Sequence, residues 1–331
     1  MKILDTVGID ISKLSFDAKI HGSQTYAKFE NKKKGFKELV NWAYKNSSIS
    51  KENILFVLEH TGLYSYEISV YFTDNKIPFV LVPGLEIKRS LGLSRGKDDK
   101  VDAKNIAKYA YRLRDEIKPY KLPSKQIQAL KRLLSLRERF VKQRTGYKAS
   151  IKEQKRVLIK KENNVLFETQ KKMIEYLNKQ ITKIENEIEC IIKSDEELNL
   201  QLELITSIKG IGKQTALFLI VYTHGFTRFN NWRKFASYSG IAPFPNQSGT
   251  SLRGKTKLSN LANKKLKSLL DLCAKSSIQY NVEMIKYYNK RIDEGKNKMS
   301  TINIIRNKLL ARVFAVVQRK SPYVDFLKYA A

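Results

Sequence analysis

The chain has 331 residues, enough for two or three domains, and 42% of them are apolar, which suffices for buried cores. Lysine and arginine number 63 against 32 aspartates and glutamates, so the formal net charge is +31. This excess is spread along the chain and suits a polyanionic partner, either a nucleic acid or an anionic membrane. No run of about 20 apolar residues occurs, and "MKILDTVGIDISKLSFD" has the pattern of a strand rather than a signal peptide. With only Cys190 and Cys273, a zinc cluster and a disulfide framework are both excluded, as suits a reducing cytoplasm. We expect a nucleic-acid partner and no membrane.

Residues 1–122 are predicted to form an α/β domain. The segments "TVGIDIS", "LSFDAKI" and "TYAKFEN" are three short strands separated by turn residues, as in an antiparallel meander. A helix over 33–45, the buried strand "NILFVLE", a helix over 64–73 and the buried strand "IPFVLVP" follow. A helix is then predicted from Asp99 to Leu113, and "KPYKLPS" is predicted to be a linker.

Residues 123–204 are predicted to form a coiled-coil helical arm, because apolar residues recur there with a heptad rhythm. The clearest run, with spacings of 3, 4, 3, 4 and 3, is Ile174, Leu177, Ile181, Ile184, Ile188 and Ile191. Two helices joined near "KKENN" would form an antiparallel hairpin roughly 50 Å long. The basic segment "KRLLSLRERFVKQR" is either a solvated face or a surface that grips phosphates.

Residues 205–331 are predicted to be mostly helical. The segment "ITSIKGIGKQTALFLIVYT" resembles a helix-hairpin-helix, in which Gly210, Gly212 and Lys213 would approach a phosphate at a helix N-terminus. The alternative is an ordinary glycine turn between two core helices. A Pro- and Gly-rich loop around "APFPNQSGTSLRGK" follows, and residues 258–318 return to helix.

Four acidic residues are candidates for a metal site. Asp10 ends the first strand, Glu59 ends the strand "ILFVLE", and Asp99 and Asp102 share one face of their helix. Their order matches the metal ligands of an RNase H-like fold, and carboxylate oxygens are the ligands that Mg²⁺ prefers, with Mn²⁺ as a possible substitute. Two such ions about 3.5–4 Å apart can activate an attacking oxygen and stabilise a leaving one during phosphodiester displacement.

The alternative is that these acids only satisfy turns and helix ends. Asp98 is predicted to be the N-cap of the last helix of this domain. His60 is predicted to serve packing or to lie at the surface, and Asp5 and Asp17 have no setting comparable to that of the four.

The segments "GIDISK", "LEHTGLYS" and "GKDDKVDAKNIA" resemble the DEDD motif of insertion-sequence transposases of the IS110 type, which are related to the Piv DNA invertases. The segment "FASYSGIAPFPNQSGTSLRGK" resembles the second signature of that family, G-x-x-P followed shortly by Ser-Gly. The resemblance covers nearly the whole chain, and the ordered set of motifs is more specific than any one of them.

The resemblance implies a RuvC-like, RNase H-fold N-terminal domain, a coiled-coil linker and a helical transposase domain with a serine nucleophile. Carried over by position, the metal ligands are Asp10, Glu59, Asp99 and Asp102, and the serine is Ser248. It also implies recombination of DNA guided by a structured noncoding bridge RNA, a tetramer assembled as dimers, and a bacterial, nucleoid-associated location.

Ser248 is supported by its surroundings as well. Gly249 follows it, and Arg253, Lys255 and Lys257 are available to neutralise phosphate. Ser251 and Ser239 are the other serine candidates.

One segment departs from the family pattern K-x-G-N-x-x-L-R. In "NLANKKLKSLL", Ala262 stands where glycine is usual and Lys267 where arginine is usual, while Asn263 and Leu266 are kept. A lysine supplies charge without bidentate phosphate geometry.

Two other functions remain open at this point. One is a metal-dependent nuclease or Holliday-junction resolvase that uses water instead of a serine. The other is a nucleic-acid-binding protein without catalysis, in which the arm and the glycine hairpin carry the function.

Overall fold

The computed structural model describes residues 2–90, 98–248 and 252–325. The chain divides into two compact units, Met1–Leu122 and Pro123–Ala331. The N-terminal unit combines a mixed sheet with helices, and the C-terminal unit is mostly helical.

The sheet of the N-terminal unit has the strand order β3-β2-β1-β4-β5. β1 pairs with β2, and β2 with β3, in antiparallel fashion, whereas β1–β4 and β4–β5 are parallel. All five strands and the meander were predicted from the sequence and are confirmed. Their bounds are β1 Asp5–Ile11, β2 Ser15–Ile20, β3 Tyr26–Glu30, β4 Ile54–Glu59 and β5 Phe79–Val82.

Helices cover both faces of this sheet. The described ones are α1 (Lys33–Asn46), α2 (Tyr66–Asp74), α3 (Gly84–Ser90) and α4 (Asp99–Arg112). Alternate residues of a strand point to opposite faces. Phe56 accordingly packs with residues of α1 and α2, whereas Val57 packs with residues of α3 and α4. Residues of β4 that lie on the same face as Val57 therefore face α4.

The C-terminal unit begins with two long antiparallel helices, α5 (Lys125–Val157) and α6 (Asn164–Lys193). Arg137 on α5 pairs with Glu185 on α6, and further along, Gln154 accepts a hydrogen bond from Gln170 at 2.7 Å. As the residue numbers of these contacts rise along α5, the residue numbers of their partners fall along α6. This confirms the antiparallel hairpin. The predicted seam residues Leu177, Ile181, Ile184 and Ile188 are buried. The supercoil of a coiled coil remains a prediction.

The remaining helices form one apolar core together with the base of this hairpin. They are α7 (Glu196–Thr206), α8 (Lys213–Thr223), α9 (Trp232–Tyr238), α10 (Lys264–Tyr280), α11 (Val282–Asp293) and α12 (Lys298–Arg319). α7 runs through the predicted boundary at 204/205, and the division of the chain into three domains stays a prediction.

The segment expected to be an irregular loop instead contains a β-hairpin, so that expectation was wrong. β6 (Pro243–Ser248) pairs antiparallel with β7 (Leu252–Leu258), with a register shift between Phe244 and Asn246. The prolines argued against strands, but a two-stranded ribbon leaves one edge of each strand unpaired, where a missing N–H costs little.

No helix among the described residues combines the length and the apolar character of a membrane span.

Candidate active site

Asp10 and Glu59 stand at the ends of two neighbouring parallel strands. Ile9 of β1 lies opposite Leu58 of β4, so the next residue of each strand is Asp10 and Glu59. Strand alternation places Glu59 on the face of Val57, and Asp10 on the face of Gly8, which is covered by α4.

Close packing of α4 on β1 brings the other two acids to the same place. A Cβ added to Gly8 would come within 2.2 Å of the Ala107 nitrogen and 2.3 Å of the Ala103 oxygen. Two residues earlier in β1, on the same face as Gly8, Thr6 Oγ1 donates a hydrogen bond to the Ala107 oxygen at 2.9 Å. Because α4 runs antiparallel to β1, its first turn lies toward Asp10, and that turn carries Asp99 and Asp102.

Asp98 caps this helix, as predicted from the sequence. Its side chain accepts a hydrogen bond from the Lys100 nitrogen at 3.0 Å. The negative charges of Asp99 and Asp102 are also favourable near the positive end of the helix dipole. The three aspartates thus have different roles, one as a cap and two as members of the candidate site.

The electrostatics of Asp10 show that the four acids are neighbours. Burial, followed by the charges of Asp102, Glu59 and Asp99, raises the pKa of Asp10 to about 6 from an ordinary 3.8. Asp10 thus lies within range of the charges of the other three acids, and repulsion by them favours a proton or a cation beside Asp10. Within the described residues, no three histidine, cysteine, aspartate or glutamate side chains already lie in position to hold a metal ion. The donor set itself consists only of oxygen atoms and suits a hard divalent cation.

A fifth carboxylate, Asp17, belongs to the surroundings of this cluster, although its setting in the sequence is not comparable to that of the four acids. The antiparallel register places Asp17 of β2 directly opposite Asp10 of β1, and its charge also raises the pKa of Asp10. Asp17 is buried, accepts a hydrogen bond from the Tyr26 hydroxyl and lies 3.5 Å from Lys28 Nζ. These two partners hold its charge in place beside Asp10.

A second glycine leaves room for the Glu59 side chain. A Cβ added to Gly84, the first residue of α3, would lie 2.0 Å from Glu59 Oε1. His60, the next residue, is exposed, which agrees with the surface alternative of the two predicted for it, and its Nδ1 accepts a hydrogen bond from the Gly62 nitrogen at 3.2 Å.

In the C-terminal unit, the predicted glycine hairpin joins α7 to α8. Gly210 has φ +100°, and a Cβ there would meet Ser277 Oγ at 2.0 Å, so this glycine serves core packing. Gly212 is the N-cap of α8 and has open space around it. Lys213 is ion-paired with Glu189 of α6 at 2.9 Å. Nucleic-acid binding by these three residues remains a prediction.

Ser248 is the last residue of β6 and pairs with Leu252 of β7. Arg253 and Lys255 also lie in β7, and Lys257 of the same strand is exposed. Ser251 lies outside the described residues. Ser239 is fully buried, and its hydroxyl donates to the Phe235 oxygen at 2.6 Å, so it is unavailable to a substrate.

The departure from the family pattern has a packing counterpart. Gly240 has φ +70°, and a Cβ there would lie 2.4 Å from the Ala262 methyl group. Asn263 caps α10 and accepts a hydrogen bond from the Leu266 nitrogen at 3.1 Å. The two residues that keep the pattern therefore define the start of this helix.

Two models of transposase families match the chain. The first, described as a transposase of the DEDD IS110 type, covers residues 7–157, and the second, described as the transposase IS116/IS110/IS902 family, covers residues 202–289. The chain belongs to the IS110-type transposases. Activity as a DNA transposase or recombinase follows from this membership. DEDD transposases generally use divalent metal ions.

Curated relatives agree with the family assignment. The chain is 28% identical over 328 residues to the pilin gene-inverting protein of Moraxella lacunata, covering 96% of this chain and 97% of the relative. The protein of the same description from Moraxella bovis gives the same identity and coverage. An uncharacterized 43.6 kDa protein of insertion element IS110 from Streptomyces coelicolor is 28% identical over 115 residues, which cover 35% of this chain and 28% of that protein.

Proposed function

We propose that this IS110-type enzyme cuts and rejoins DNA strands with a Mg²⁺-dependent carboxylate site and Ser248 as covalent nucleophile, under the guidance of a structured RNA. The observation that carries the proposal is the raised pKa of Asp10, caused after burial by Asp102, Glu59 and Asp99. These acids come from two strands and a helix distant in sequence, and capping or turn formation does not require that they meet.

An RNase H-like, RuvC-like fold for the N-terminal unit supports the same conclusion. The strand order β3-β2-β1-β4-β5, with an antiparallel meander followed by two parallel strands, agrees with that fold. Asp10 and Glu59 then stand at the carboxyl ends of its central strands, where open α/β sheets bind their ligands.

Asp10, Glu59, Asp99 and Asp102 are the residues that would hold divalent cations. When bound there, Mg²⁺ would neutralise the phosphodiester and lower the pKa of an attacking hydroxyl. The chain itself supplies the rigid frame: Gly8 lets α4 approach β1, and Gly84 leaves room for Glu59.

Ser248 is proposed as the nucleophile because it ends a strand beside the basic residues of β7, and because Ser239 is buried. Attack of its hydroxyl oxygen on phosphorus would break a P–O bond of the DNA backbone and leave a phosphoserine ester. The hydroxyl end released from DNA, or that of another strand, would reverse the step and rejoin the backbone.

Rejoining is the feature that separates this proposal from a nuclease or a junction resolvase. The Moraxella relatives are described as inverting a pilin gene, and inversion requires that cut ends be joined again. The net charge of +31 exceeds what a single short DNA contact needs and supports a second polyanion, the guide RNA. We further propose a tetramer assembled as dimers.

The test compares neighbouring carboxylates in a DNA cleavage assay with purified protein, its copurified RNA and Mg²⁺. Asp10→Asn and Asp102→Asn each remove one proposed ligand and should abolish cleavage. Asp98→Asn is the matched control: it removes one charge from the same turn but keeps an N-cap, so cleavage should persist. Full cleavage by the Asp10 and Asp102 variants would overturn the assignment of the site.

A further inference from the structure

A row of lysines follows the flank of α4 beside the candidate site. Lys100, Lys104 and Lys108 are spaced four residues apart, so each is about 6 Å further along the helix than the last. Lys19 of β2 lies close enough that Lys104 and Lys100, after burial, lower its pKa. We call these four residues the lysine row. It starts in the turn that carries Asp99 and Asp102.

The lysine row has no acidic partner among the described residues. The salt bridges of the described residues involve other basic side chains, such as Arg137 with Glu185 in the helical arm and Lys28 with Asp17 on the sheet. Lys100 lies instead over the Tyr26 ring, with its Nζ 5.1 Å from the ring centroid. At the far end of the row, Lys108 is among the charges that lower the pKa of His21, after burial of the imidazole.

Such an arrangement costs folding free energy. Like charges four residues apart on a helix destabilise it, and Lys100–Lys104 and Lys104–Lys108 are two such pairs. A carboxylate at one of these positions would relieve the repulsion. The row is therefore better explained by an external anion than by the stability of the fold.

The candidate site needs a cationic neighbour of this kind. Asp10, Glu59, Asp99 and Asp102 repel phosphate, and the divalent cations that they would hold neutralise only the phosphate at the site. Positive charge beside the site is therefore needed to hold the neighbouring phosphates of the strand. Lys100 and Lys108 are eight residues apart on α4, so this part of the row is about 12 Å long. One strand of B-DNA carries a phosphate every ~3.4 Å of helix axis, so the row can reach about three or four phosphates.

We propose that the lysine row binds the phosphate backbone of the DNA strand that is cut, immediately beside the scissile phosphate. This inference rests on the proposed function, because the row is proposed to bind DNA on the ground that it lies next to the proposed cleavage site. A guide RNA along the same row is the competing occupant.

The experiment is lysine footprinting of the unmodified full-length protein. Acetylation of each lysine is followed by mass spectrometry in three samples: free protein, protein with single-stranded DNA of mixed sequence, and protein with RNA of the same sequence. Lys33, Lys37 and Lys45 are the internal control, since they are exposed on α1, which covers the opposite face of the sheet. DNA should slow the acetylation of Lys19, Lys104 and Lys108 at least several-fold and leave the control lysines unchanged.

A variant then links the footprint to function. Lys19→Gln/Lys104→Gln/Lys108→Gln should lower kcat/KM for DNA cleavage, with activity recovering at low salt. The salt dependence of DNA binding should weaken by about 2–3 in the log–log slope. The charge-matched variant Lys33→Gln/Lys37→Gln/Lys45→Gln should retain both the cleavage rate and the slope.

Equal protection of row and control lysines, or protection by RNA but not by DNA, would overturn the inference. The footprint is measured without cleavage, so a failure of the proposed function shows itself separately, as cleavage that persists in Asp10→Asn. If DNA protects the row but Asp10→Asn still cleaves, the row would lie beside no cleavage site. The proposal that it binds the strand that is cut would then be wrong.

Discussion

Gly8 of β1 touches the backbone of α4 at Ala107: a Cβ on Gly8 would lie 2.2 Å from the Ala107 nitrogen. This contact sets the distance between the strand that carries Asp10 and the helix that carries Asp99 and Asp102. Gly8→Ala should force α4 away from β1, lower the free energy of unfolding by about 2–3 kcal/mol and abolish cleavage. Urea denaturation and the DNA cleavage assay measure the two effects.

Gly146→Ala is the control for this change. Gly146 lies in the interior of α5 with no atom within 4 Å of an added Cβ, so alanine should raise stability by up to about 1 kcal/mol and leave cleavage unchanged. Unaltered stability of Gly8→Ala would show that α4 does not depend on this close approach.

Gly84→Ala should separate stability from activity. The added methyl group would meet the end of the flexible Glu59 side chain, which can rotate away at little cost, rather than the backbone. We therefore expect a melting temperature close to that of the parent protein and a strongly reduced cleavage rate at saturating DNA, because the Glu59 carboxylate is displaced. A parent-like cleavage rate would mean that Glu59 is not needed where the structure places it.

The metal-free protein should lose stability as pH rises through the titration of Asp10. Because its folded pKa is about 6 and its ordinary value 3.8, the folded state binds more protons than the unfolded state between these values. The Asp10 contribution to the free energy of unfolding therefore falls as pH increases across this window. Asp10→Asn lacks that loss, so its stability advantage over the parent should grow from about pH 4 to pH 6 and then level off.

Chemical denaturation in EDTA across this pH range measures the difference, and added Mg²⁺ should diminish it. Asp74→Asn, at the exposed end of α2, is the control and should show no comparable trend. A pH-independent difference for Asp10→Asn would show that the four carboxylates do not interact in solution.

Guidance by RNA predicts how the protein selects DNA. Protein freed of RNA should bind DNA of any sequence with an affinity that falls steeply with salt, because many lysine–phosphate contacts release counterions. Sequence preference should appear only when the copurified RNA is restored, since base pairing then supplies it. Competition binding with unrelated DNA measures the preference, and sharp selection of one site by RNA-free protein would contradict guidance.

The sequence predicted the strands and the helix start that build the candidate site, because each has a local signal. A short apolar segment bounded by turn residues marks β1, a continuous apolar run marks β4, and Asp98 marks the start of α4. The role of Asp17 was missed because it depends on the register between β1 and β2, which places Asp17 opposite Asp10. A glycine in a strand signals a close approach but not its partner, so the contact of Gly8 with Ala107 was not predictable.

The β6–β7 hairpin was missed for a different reason. Pro243 and Pro245 argue against a strand in a sheet interior, and only the structure shows that β6 and β7 pair with no further strand among the described residues. This correction does not affect the reason for proposing Ser248, which is its place before Gly249 in the family pattern.

The most direct test of the account is whether a covalent protein–DNA adduct forms at Ser248. On a DNA substrate whose cut ends cannot be rejoined, a denaturant-stable adduct should accumulate, and mass spectrometry should locate it on the peptide "PNQSGTSLR". Ser248→Ala and Asp102→Asn should both lack the adduct while still assembling with DNA, and Ser251→Ala should retain at least part of it. Recombination by Ser248→Ala at the parent rate, with no adduct, would contradict the account and favour a metal-dependent nuclease that uses water.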